Sequence, residues 1–200
     1  INQGARKGLW QLSTTTAGYS FDNGLIPYLE VDAWDRFHNK DQMINLGTYI
    51  KFPDSSYLHS EIGFGNDITY VPRFRLVQEY EHRLVKDVFW QFGYKYLDYF
   101  NNDVHIIYPG LVYYFGDNYL SMSYNNSFTQ NRGPAQWGTL KANFAVNERT
   151  MLWLGTAIGE RLYDIELLNA SKQYGYIIFS GVDFKIYKDV AIRLGYSYSR

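Results

Sequence analysis

Cysteine is absent from the 200-residue chain. That excludes disulfides, thiolate catalysis and cysteine-based zinc sites. Also missing is any apolar run of the roughly 20 residues that a membrane helix needs. The best stretches, 151–158 and 174–182, are short and broken by glycine or serine. Neither sign of charge prevails: 19 Lys and Arg stand against 20 Asp and Glu, a net charge of −1. Nucleic-acid binders carry a basic field, so no nucleic-acid partner is expected. The HExxH motif is absent, and His38, His59, His82 and His105 have no metal-pair spacing on one strand face. Ser60 is beside His59, but strand neighbours point to opposite faces and cannot form a dyad. No catalytic group, metal or cofactor is called for. The chain opens at Ile1 without a signal peptide and reads as processed or trimmed, so the missing leader does not argue for the cytosol.

What is abundant is aromatic. Tyr 20, Phe 13 and Trp 5 make 19% of the chain, yet the mean hydropathy is −0.35. Many rings with low mean hydropathy fit a membrane β-barrel, in which half of every strand is polar. The pattern is plainest from Val88. Val88, Trp90, Phe92, Tyr94 and Tyr96 alternate with Phe89, Gln91, Gly93, Lys95 and Leu97. A period of two with one purely apolar side predicts a strand with lipid on that side and a polar interior on the other.

The same period recurs along the chain. Strands are predicted at about 9–21, 26–37, 43–52, 58–64, 73–85, 88–100, 104–115, 119–129, 136–146, 150–161, 173–187 and 190–200, separated by turn signals such as Asp22-Asn23-Gly24 and Lys86-Asp87. The expected fold is all-β: an antiparallel up-and-down transmembrane barrel with about twelve strands visible, residues 1–200 forming one domain. The connections at 38–41, 66–72, 131–134 and 162–172 read as the long ones, those at 53–56, 86–87, 116–118, 147–149 and 188–189 as short. Short turns of bacterial barrels face the periplasm. On that rule both visible ends would lie outside, which predicts one further strand at each end, about fourteen in all.

The segments FGYKYLDYF and HIIYPGLVYYFGDNYLSM, with VPRFRLVQEYEHRL upstream, resemble the YaiO-type outer-membrane β-barrel family. The matching residues are Gly93, Tyr94, Lys95, Tyr96 and Phe100, then Phe115-Gly116, with Lys95 where the family usually has arginine. The resemblance covers nearly the whole chain. The family's final strand with its terminal aromatic has no counterpart, because the chain ends at Ser199-Arg200, as expected of a truncated barrel. The resemblance implies a bacterial outer-membrane location and an association with surface polysaccharide systems; it supplies no reaction.

Alternation predicts the lumen. Glu30, Asp32, Arg36, Lys51, Glu61, Arg73, Arg75, Glu79, Glu81, Arg83, Lys95, Asp183, Lys185 and Arg193 are expected to face inward, while His82 faces the other way. Their signs are mixed, which reads as a stabilising network of ion pairs and water; a selective pore usually shows a ring of one sign. Trp10, Tyr57, Tyr99, Tyr119 and Tyr187 are expected in the interfacial girdles. Two functions follow. One is a structural or accessory component of an envelope system, linked through the resemblance to surface polysaccharide export, with outer-membrane lipid and other envelope proteins as partners. The other is a narrow pore for small polar solutes.

Overall fold

The computed structural model describes residues 11–36, 39–66, 71–100, 102–129, 132–161, 173–187 and 190–199. Twelve strands run through them: β1 (Gln11–Gly18), β2 (Leu25–Arg36), β3 (Asn39–Lys51) and β4 (Tyr57–Asn66). Then come β5 (Phe74–Val85), β6 (Val88–Asp98), β7 (Asp103–Phe115) and β8 (Asn118–Thr129). The last are β9 (Arg132–Asn147), β10 (Thr150–Arg161), β11 (Gln173–Tyr187) and β12 (Val190–Ser199). Each pairs antiparallel with its sequence neighbours, and β1 pairs with β12 through Ser13↔Leu194 to Ala17↔Val190, closing the barrel. Closure joins the two edge strands over five residue pairs, so the sheet has no free edge strand there.

The expected fourteen strands are therefore not needed to complete the cylinder. The premise behind them also changes. Residues 38–41 and 131–134 read as loops because they are polar, but β3 starts at Asn39 and β9 at Arg132, with Asp35↔Lys40 and Thr129↔Arg132 in register. Ladder hydrogen bonding overrides local polarity there. The start of β1 and the end of β12 share one rim, here the terminal end. The β3–β4, β5–β6, β7–β8, β9–β10 and β11–β12 connections share the other, the turn end.

Two-residue turns at the turn end use left-handed backbone: Asp87 has φ 66° and Gly116 φ 63°. Glycine takes that conformation freely and aspartate tolerates it. At mid-height of β7, the β7–β8 register omits Tyr108 and Pro109; proline has no N–H to give the ladder.

The outer surface is the greasy one. Leu46, Met122, Leu140, Leu154 and Ile178 point outward and are 51%, 53%, 46%, 51% and 53% exposed. A water-facing wall of this kind would be unstable as a monomer surface, whereas lipid suits it. No helix among the described residues is long and apolar enough to cross a membrane; the strands make the crossing.

Candidate lumen site

Inward positions divide the interior lengthwise. Toward the terminal end it is packed: Met43, Val104, Ala135 and Ala157 are almost fully buried. Val71, from the β4–β5 connection, is also buried, its N–H 3.3 Å from the Asp41 carboxylate. From mid-height toward the turn end lies a cavity of about 720 Å³. A second cavity of about 460 Å³ shares Thr16, Tyr28, Tyr49 and Asp183 with it and reaches the β9–β10 turn at Asn147, Glu148 and Arg149.

Glycines give the rings room. A Cβ on Gly47 would overlap Tyr28, one on Gly93 would overlap Tyr108, and one on Gly181 would overlap Trp153. These rings lie flat against the wall because the strand beneath them has no side chain, which keeps the lumen from filling.

The acidic wall is built from β2 to β5. The Arg75 guanidinium is 2.8 Å from Glu61, 3.7 Å from Glu30 and 3.8 Å from Asp32. Thr14 and Thr16 donate to Asp32 and Glu30 at 2.7 and 2.9 Å, and the Asn45 amide donates to Asp32 at 3.0 Å. The Tyr28 hydroxyl donates to Glu61 at 2.6 Å and lies 2.6 Å from His59 Nε2. Tyr108 and Tyr114 donate to Glu79 and Glu81 at 3.0 and 3.2 Å. On the far side of β1, Arg193 on β12 holds Asp183 on β11 through two bonds of 2.7 and 2.8 Å, and Trp153 Nε1–H donates to the same carboxylate at 3.1 Å. Such charge-assisted networks rigidify a polar interior, although Asn45 Oδ1 and Arg75 Nε are buried here without a hydrogen-bond partner.

The placement of the expected lumen residues is uneven. Glu30, Glu61, Arg75, Glu79, Lys95, Asp183 and Arg193 line the main cavity. Asp32 and Glu81 are buried beside it. Lys185 lines the turn-end cavity. Lys51 and Arg83 occupy inward positions near the turn end, exposed, with the Arg83 guanidinium 5.5 Å from the Phe89 ring centre. Arg73 does not enter the lumen. It precedes β5, bonds Asp98 at 2.7 Å and lies 4.9 Å from the Phe100 ring centre, because the strand alternation that would aim it inward has not begun. The Arg36 side chain falls outside the described residues.

Two girdle assignments change. Tyr57 is an inward position whose hydroxyl is 3.3 Å from that of Tyr114, and Tyr119 faces inward opposite Asn143. Both rings fill lumen space at the turn end. Tyr99 sits in the β6–β7 connection, its N–H bonded to Asn102. Trp10 and the Tyr187 side chain fall outside the described residues. His82 points away from the lumen toward Tyr80, and Ser60, opposite in direction to His59, accepts from Gln78 at 2.6 Å. No metal-binding cluster of His, Asp or Glu occurs among the described residues. Lys141, Tyr49 and Tyr108 line the cavity without having been singled out. Their parity marks them as inward, Lys141 by standing next to the outward Leu140.

An apolar outer wall around a polar, partly hollow interior defines a membrane-spanning β-barrel. The match in sequence agrees: residues 6–164 fit the YaiO membrane beta barrel domain, and the chain belongs to that family. No curated protein matches it. Among solved structures it is similar to the NanC porin, at 10% identity and a TM-score of 0.54, over 96% of this chain and 100% of that one. At that identity the likeness shows the fold alone.

Proposed function

We propose that this barrel lies in the bacterial outer membrane and that its lumen is a narrow path for small polar solutes. The supporting observation is the pair of cavities, about 720 and 460 Å³, that share four lining residues and run from mid-barrel to the turn end. Volumes of that order accommodate small molecules. The packing of Met43, Val71, Val104 and Ala135 narrows the path at the terminal end. The barrel carries solute without transforming it.

That same packing favours a second reading, an accessory barrel closed at one end and tied to an envelope system such as surface polysaccharide export. Planar-bilayer recording separates the two. The solute path predicts small, steady single-channel steps that grow when Met43→Ala and Val104→Ala thin the terminal-end packing. Silence from both the native barrel and the double variant would overturn it in favour of the accessory role.

A further inference from the structure

The cations of the main cavity fall into two kinds. Arg75 and Arg193 are held by carboxylates at 2.8 and 2.7 Å. Lys95 on β6 and Lys141 on β9 line the same cavity, and among the described residues neither has a carboxylate within ion-pair distance. Each ammonium is placed against a tyrosine: Lys95 Nζ is 5.2 Å from the Tyr108 ring centre and Lys141 Nζ 5.6 Å from that of Tyr119. Glu79, the acid on neighbouring β5, is engaged by the Tyr108 hydroxyl at 3.0 Å.

A ring face offers a cation about 0.5–2 kcal/mol. Withdrawing an unpaired ammonium from water costs several kcal/mol. The rings therefore orient the two lysines without compensating them, and water or an incoming anion must do the rest. β6 and β9 are three strands apart, and through Ile106 and Ser127 the ladder sets Lys95 level with Ala135, six residues from Lys141. The two ammoniums therefore enter the same cavity from different points of its wall, and an organic anion with some length is better suited to meet both than a halide.

We infer that Lys95 and Lys141 form a subsite within the lumen for a small organic oxyanion, carboxylate or phosphate. The inference rests on the reading of the lumen as a solute path and gives that path a substrate class. It also gives a role to the two ammoniums that face the main cavity from β6 and β9.

The test is calorimetric titration of the refolded barrel in detergent with gluconate, inorganic phosphate and neutral glucose. Native protein, Lys95→Gln/Lys141→Gln and Lys95→Arg/Lys141→Arg are compared, each first shown to be folded by heat-modifiable migration. Binding of gluconate or phosphate is expected, weakened by about tenfold or more in the glutamine variant and retained in the arginine variant. Glucose should give no lysine-dependent heat. The two anion arms tell a carboxylate site from a phosphate site. Equal binding by native and glutamine proteins, or no binding of either anion, overturns the subsite. Lysine-dependent binding by a barrel that never conducts overturns the solute path and leaves the subsite standing; conduction without anion binding does the reverse.

Discussion

Along β9, Leu140 turns outward and is 46% exposed, while Lys141, the next residue, turns into the polar cavity. The same contrast holds between Phe92 and Lys95 on β6 and between Leu154 and Trp153 on β10. Outside, most side chains are apolar and meet no specific partner, with a few polar pairs such as Gln78–Ser60. Inside, most polar groups are addressed to a particular neighbour. The two faces should therefore respond to substitution by different rules: the outer face to hydropathy, the inner face to the loss of a named partner.

The largest effect should come from Arg75, the guanidinium shared by Glu30, Asp32 and Glu61. Arg75→Ala leaves three carboxylates uncompensated, a change costing about 3–5 kcal/mol when a buried partner is removed. Urea unfolding of the barrel in lipid vesicles measures it; a loss under about 1 kcal/mol would mean that water already screens the cluster. Next is a paired comparison. Leu154→Arg on the outer face should cost about 2–4 kcal/mol near the bilayer midplane. Ser121→Arg, on the inner face and in register with Lys141, should cost less, about 0.2–1 kcal/mol for the like-charge pair. Equal costs would erase the distinction between the faces.

The smallest effect belongs to a residue on neither face. Asp54, in the β3–β4 turn, accepts from the Ser56 hydroxyl and from the Ser56 N–H, the latter at 2.9 Å, which holds its carboxyl below the usual range. A depressed folded pKa means stabilisation that is present above the unfolded value of about 4 and lost as pH falls through the folded one. Asp54→Asn should remove that acid-dependent step from a thermal-melt series and leave conductance unchanged.

How much of this was legible depends on range. Alternation in Val88–Asp98 reveals two faces because the period of two is a local property, and it assigns Glu30, Glu61, Glu79 and Lys95 to the inside, where they lie. Ring orientation near strand ends was harder. Tyr57 and Tyr119 look like girdle residues by position, but register with Glu81 and Asn143 turns them inward. Arg73 shows the converse, since alternation has no hold before the strand begins. The clustering of acids around Arg75 was hidden altogether. Glu30, Asp32 and Glu61 meet that guanidinium only once β2 to β5 pair in register. Twelve strands close a cylinder within these residues, where connection lengths alone had pointed toward fourteen.

Because the chain has no cysteine, each introduced thiol is a unique probe, and the division between faces can be read directly. Single variants Leu140→Cys, Leu154→Cys, Ser121→Cys and Lys141→Cys, reconstituted in lipid vesicles, would be exposed to a charged, membrane-impermeant thiol reagent. The account predicts rapid labelling at 121 and 141 and protection at 140 and 154. Labelling at 140 and 154 with protection at 121 and 141 would place water on the outside and a dry core within, contradicting it.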